Sequence, residues 1–113
     1  MAALLKLKAQ ILVDGEIAFG PGKADLLEAI AAHGSISAAA RALGLSYRRA
    51  WLMVDAMNRL FAEPPVQTAR GGPGGASLTP AGKALLAEYR ALQHKLEEVA
   101  ATSPLVSRIR APG

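Results

Sequence analysis

The chain of 113 residues has no cysteine and few aromatic residues, 4% in all. The missing cysteine excludes disulfides and thiolate metal sites, and it suits a reducing compartment. The scarcity of aromatics leaves Ala, Leu, Ile and Val to build the core of a chain that is 51% hydrophobic. No uninterrupted apolar run is long enough to span a bilayer. In the opening MAALLKLKAQILV, Lys6, Lys8 and Gln10 break the run, which fits neither a signal peptide nor a membrane segment. A single cytoplasmic domain without a membrane partner is the expectation.

Catalytic and metal-binding groups are also sparse. The two histidines, His33 and His94, lie far apart in sequence, and no nucleophile–base pair or close carboxylate pair stands out. The expectation is a protein that is not an enzyme and has no cofactor and no metal site.

Charge is present but unevenly placed. Between Gly34 and Lys83, Arg41, Arg48, Arg49, Arg59, Arg70 and Lys83 face only Asp55 and Glu63. Six cations against two anions equal the formal net charge of +4, and the remaining seven cations and seven anions cancel. A basic excess confined to one stretch suits contact with nucleic-acid phosphates.

That stretch contains GSISAAARALGLSYRRAWLMVDAMNRLF, residues 34–61. At helical period it reads as a short helix, a glycine turn and a longer helix. Ala40 allows close helix approach, Gly44 takes the left-handed conformation that ends the first helix, and Leu45 plugs the bend. Ser46 caps the second helix. Its predicted apolar stripe is Ala50, Val54, Met57 and Phe61. Arg48, Leu52, Asp55 and Arg59 fall opposite, with Tyr47 and Trp51 on a flank. A helix presenting arginine and aromatics from its first turns is suited to a DNA major groove.

The flanking segments complete the pattern. LKLKAQILVDGEIAF alternates around Asp14-Gly15, which predicts a hairpin with strands at about 4–13 and 16–20. A first helix is expected over 23–33, with Leu26, Leu27 and Ile30 apolar, Asp25 in its first turn and Gly34 as its stop. Ser35 or Ser37 caps the next helix, whose inner side is expected to be Ala38, Ala39 and Leu43. After Pro64-Pro65, two short strands at 66–68 and 76–78 flank the loop RGGPGG, a wing carrying Arg70. A phosphate cradle is a poor reading of this loop, which lacks a GK[ST] ending and joins strands. Thr79-Pro80 starts a long helix. Along it Leu85, Tyr89, Leu92, Leu96 and Val99 form a two-heptad seam that predicts a partner helix, most simply from a second copy.

The order of these elements, with the motifs GSIS, AAARALGLSYRRAW, DAMNRLF, RGGPGG and LTPAGKALLAEYRAL, resembles the winged helix-turn-helix domain of molybdate-responsive (ModE-type) regulators. That domain is in turn similar to the LysR-type DNA-binding domain. The resemblance spans residues 20–95 and implies DNA binding and dimerisation. The β-rich molybdate-binding region of such regulators has no counterpart here, so molybdate binding by this chain is not expected.

The resulting expectation is a mainly α fold with small β: a winged helix-turn-helix with an N-terminal β-hairpin and a long C-terminal dimerisation helix. The hairpin takes residues 1–21, the winged domain 22–101 with its dimerisation helix at about 79–101, and a short tail 102–113. The function expected is a homodimeric, sequence-specific regulator bound to double-stranded DNA; a winged-helix protein-interaction module, or a DNA-binding subunit served by a separate sensor chain, is the alternative. Tyr47, Arg48, Arg49 and Trp51 are the candidate base readers. Ser35, Ser37, Ser46, Thr68, Arg70 and Lys83 are the candidate phosphate and wing contacts.

Overall fold

A computed structural model describes residues 3–69 and 75–110. In chain order these form β1 (Ile11–Val13), β2 (Glu16–Phe19), α1 (Pro21–His33), α2 (Ile36–Leu43), α3 (Tyr47–Leu60), β3 (Val66–Thr68), β4 (Ala76–Leu78) and α4 (Pro80–Thr102). A 3-10 turn, Pro104–Arg108, follows. The expectation of a mainly α fold with two small hairpins agrees with this architecture.

β1 and β2 pair antiparallel across Asp14-Gly15, whose φ angles of 49° and 82° make the tight turn that Asp-Gly favours. The first strand is much shorter than the predicted 4–13. With β2 only four residues long, residues before Ile11 have no strand to pair with, and the register shifts between Ile11 and Leu12. Residues 3–10 instead form an arm without helix or strand that runs beside α4. The Tyr89 hydroxyl donates to the Ala9 carbonyl at 2.7 Å. The arm and the end of α4 line an open cleft of about 780 Å³.

α1 begins at Pro21, two residues earlier than predicted, because a proline at the first helical position loses no helical hydrogen bond. The earlier start moves Asp25 out of the first turn. It meets Arg90 of α4 instead, at 2.9 Å. Gly34 ends α1 at φ 74°, its amide donating to Ile30.

Ser35 is the residue that caps α2: its hydroxyl accepts from the Ala38 amide at 3.0 Å. The buried side of α2 is Ile36, Ala39 and Ala40: Ala39 lies inward as expected, while Ile36 and Ala40 take the places expected for Ala38 and Leu43. Starting the helix at Ile36 places 36, 39 and 40 on one face, and Leu43 reaches the rim, 38% exposed. Gly44, at φ 69°, then closes a paired C-cap in which its amide donates to Arg41 and the Leu45 amide to Ala40.

The core lies where α1, α2 and α3 meet over the hairpins. Phe19 is fully buried, its ring edge-on to Tyr89 (5.0 Å) and Phe61 (5.9 Å). Three of the five aromatic residues thus meet at one point, and aliphatic side chains fill the rest. Gly82 is buried at the start of α4 because a Cβ there would lie 2.1 Å from the Pro65 carbonyl oxygen. The molecule measures 58 × 29 × 24 Å; α4, 23 residues and so about 34 Å long, accounts for much of the elongation.

Candidate nucleic-acid interface

α3 is fastened on one side and open on the other. Ala50, Val54 and Met57 are buried against α1 and α2, while Phe61, at the end of the same stripe, is half-buried against Phe19. Ala50 of α3 shares one buried cluster with Ala39 and Ala40 of α2. Its N-terminus is set by Ser46, whose hydroxyl accepts from the Arg49 amide at 3.0 Å. Ser46 therefore serves the helix cap in this structure.

The open face carries Arg48, Leu52 and Asp55, with Tyr47 and Arg49 on its two flanks, all exposed. Tyr47 and Trp51 meet edge-to-face with ring centres 6.1 Å apart. Trp51 is half-buried and packs against the core, whereas Tyr47 is 49% exposed. Tyr47, Arg48 and Arg49 thus stand together at the open head of α3, and Trp51 supports them from the flank. Arg59 points elsewhere: its guanidinium lies 2.7 Å from the Glu16 carboxylate, which ties the end of α3 to the N-terminal hairpin. That contact holds the Glu16 carboxyl below the usual carboxylate range. Near the head of α3, burial holds the Lys23 ammonium below its ordinary value; Glu16 opposes this and Arg49 adds to it.

The wing is built onto this unit by three contacts. β3 and β4 pair in the register Val66–Leu78, Gln67–Ser77 and Thr68–Ala76, and the Ala69 amide donates to Gly75. The Ala76 amide donates to the Gly34 carbonyl at 3.0 Å, so β4 continues onto the turn before α2. Asn58 of α3 reaches Val66 with both halves of its amide, each at 3.1 Å. Thr68 is exposed at the open end of β3. Arg70 and the loop to Gly74 lie outside the described residues.

The other candidate contacts divide. Ser35 is occupied as the cap of α2, and Ser37 accepts from the Arg41 guanidinium at 3.1 Å. Lys83 is exposed in the first turn of α4. Among the described residues no group of three or more His, Cys, Asp or Glu gathers to hold a metal ion. No described helix is long and apolar enough to cross a membrane.

The predicted α4 seam splits in two. Leu85 packs on the core and Tyr89 is 5% exposed, held by Phe19 and Ala9 of its own chain. Burial pushes the Tyr89 hydroxyl pKa up. These two are therefore intramolecular contacts: Phe19 and the Ala9 carbonyl meet Tyr89 within the chain, an arrangement the sequence did not reveal. Further along, Leu92 (44%) and Val99 (59%) are exposed and Leu96 is half-buried.

Comparison with known proteins places residues 23–83 in the family described as bacterial regulatory helix-turn-helix protein, lysR family. The chain is 55% identical over 76 residues to the molybdenum-pterin-binding protein MopB of Rhodobacter capsulatus, covering 66% of this chain and 28% of that protein. It is 49% identical over 70 residues to the molybdenum transport protein ModE of Azotobacter vinelandii, covering 60% and 26%. It is 39% identical over 87 residues to the DNA-binding transcriptional dual regulator ModE of Escherichia coli (strain K12), covering 75% and 31%. The chain spans less than a third of the length of these curated relatives.

Proposed function

The chain belongs to the lysR family of bacterial regulatory helix-turn-helix proteins, and on that premise we propose that it is a transcriptional regulator that reads duplex DNA with α3 as a cytoplasmic homodimer. The observation that carries the reading is the division of α3. One face is buried through Ala50, Val54 and Met57, and the opposite side holds Arg48 exposed at the N-terminal end, with Tyr47 and Arg49 exposed on either flank. A recognition helix needs that arrangement, because the residues entering the major groove must be held rigidly from behind. Arg48 is the candidate for a bidentate contact to guanine, with Arg49 and Tyr47 beside it. Lys83 and Thr68 are candidates for the flanking backbone, and Arg70 for the wing's contact. Ser35, Ser37 and Ser46 contribute through helix caps and through the placement of Arg41.

The homodimer is supported by the exposed half of α4. Leu92, Leu96 and Val99 are the interface candidates, and a two-fold axis there would set two copies of α3 about 34 Å apart on a palindromic site. Molybdate is not proposed as a ligand of this chain. A tightly held oxyanion is bound by several converging donors; among the described residues no charged side chain is buried, and the buried Tyr89 hydroxyl already donates to the Ala9 carbonyl.

The test is selection of bound fragments from genomic DNA with the purified chain, followed by gel shift. A two-fold motif enriched above random DNA is expected; fragments bound without any shared motif, or no binding at low salt, would overturn the reading. Calorimetry with molybdate is expected to give no heat of binding at micromolar concentration.

A further inference from the structure

Leu52 stands in the middle of the open face of α3 and belongs to no packed cluster. Its neighbours Trp51 and Met53 turn inward and touch the core, but Leu52 is 58% exposed. A single exposed leucine is ordinary on a protein surface, so exposure by itself assigns nothing. Its position is what matters. Leu52 lies one turn beyond Arg48 on the same face, about 6 Å along the helix axis. That distance is less than two base-pair steps of 3.4 Å.

A major groove that receives Arg48 therefore also receives Leu52. The edges of the bases there are hydrogen-bond donors and acceptors, with one apolar group among them, the pyrimidine C5-methyl. A leucine pressed on a polar edge would strip its water and return no hydrogen bond, which is costly. Against a methyl group the same contact buries apolar surface on both sides. We propose that Leu52 is a specificity-determining residue that takes a pyrimidine C5-methyl group, one to three base pairs from the guanine contacted by Arg48. The proposal rests on the DNA-reading function above. The methyl can come from thymine or from 5-methylcytosine, since both carry it at the same ring position.

The experiment uses the full chain and a fragment recovered by selection. Each thymine in a half-site is replaced in turn by deoxyuridine, which removes only the methyl, and each cytosine by 5-methylcytosine. Affinities are measured for the unmodified protein and for Leu52→Ala, whose folding is checked by circular dichroism; an exposed side chain leaves the core intact. At one position the loss of a thymine methyl should weaken binding about fourfold, equal to about 0.8 kcal/mol for one buried methyl-sized group, and Leu52→Ala should abolish that dependence. A fourfold gain on methylating one cytosine, likewise abolished in Leu52→Ala, would support the same contact and assign the methyl to that base. A methyl dependence that survives Leu52→Ala would overturn the proposal. So would tight, motif-specific binding with no methyl dependence anywhere, although DNA reading would then stand. If no fragment is bound specifically, the proposal falls together with the function on which it rests.

Discussion

The side-chain amide of Asn58 grips the backbone of Val66 at both ends, accepting from its N–H and donating to its carbonyl at 3.1 Å each. Asn58 thus acts as a substitute strand partner, joining α3 to the first strand of the wing. Both partners are partly shielded from water, so truncation leaves a backbone donor and acceptor poorly satisfied. Asn58→Ala should destabilise the fold by about 1–3 kcal/mol, measured by urea denaturation. It should also weaken specific DNA binding, because the wing and α3 would no longer share one rigid frame. A variant with unchanged stability would contradict the strand-partner role.

Gly82 is the second point where the wing and the helices are locked. Any side chain there meets the backbone of Pro65, with 2.1 Å between a Cβ and the carbonyl oxygen. Backbone cannot swing aside as a flexible side chain does. Gly82→Ala should cost at least about 1–3 kcal/mol, the usual range for overpacking, although alanine is the better helix former. Thermal unfolding with a melting temperature at or above that of the unmodified protein would refute this.

Much of this frame was legible in the sequence because it rests on local chemistry. Ser35, Gly44 and Ser46 act through their own backbone neighbourhoods, and caps of that kind are readable from residue type and spacing. Asp14-Gly15 likewise announced the hairpin. The long-range partners were not legible. Phe19 gave no sign that it would gather Phe61 and Tyr89, since nothing in local period links residues that far apart. For the same reason Tyr89 read as one more member of the α4 seam, although the arm at Ala9 claims its hydroxyl. Asp25 falls outside the first turn because α1 starts two residues earlier than its pattern suggests, and helix boundaries are where pattern reading is weakest. At the candidate site, the stripe of α3 predicted which side is buried. The pairing of Arg59 with Glu16 depends on tertiary placement and was hidden.

That pairing changes the expected salt dependence. With Arg59 neutralised by Glu16, the cations left in the reading unit are Arg41, Arg48, Arg49, Arg70 and Lys83. If these meet phosphates, log K for non-specific DNA should fall against log salt with a slope of about −4 to −5 per protomer. Fluorescence anisotropy across a salt series measures it. A slope near zero would contradict phosphate contact by this surface.

Arg48 and Lys83 should then separate by role. Arg48 projects from the first turn of α3, where a base edge would be, and Lys83 from the first turn of α4 at the side. Arg48→Ala should reduce discrimination between operator and random DNA by about 1–3 kcal/mol, the worth of a bidentate guanine contact. Lys83→Ala should weaken both kinds of DNA alike and make the salt slope shallower by about one. A competition assay distinguishes the two, and equal effects on discrimination would refute the assignment.

The last expectation concerns the second copy. Leu85 and Tyr89 are used inside the protomer, so any apolar interface on α4 must come from its C-terminal half. There Leu92 and Val99 are 44% and 59% exposed, with Leu96 half-buried between them in sequence. Covering a leucine or valine of this kind is worth up to about 1.5–3 kcal/mol when burial is complete, and a two-fold interface counts each twice. Leu92→Glu with Val99→Glu puts four charges into that interface, yet leaves each isolated protomer's core untouched because both side chains already face water. The double variant should therefore sediment as a folded monomer where the unmodified chain sediments as a dimer at micromolar concentration. It should lose operator affinity while retaining weak non-specific binding, since one half-site remains readable. An unmodified chain that sediments as a monomer at that concentration would remove this interface, and a double variant that stays dimeric would move it elsewhere on the surface.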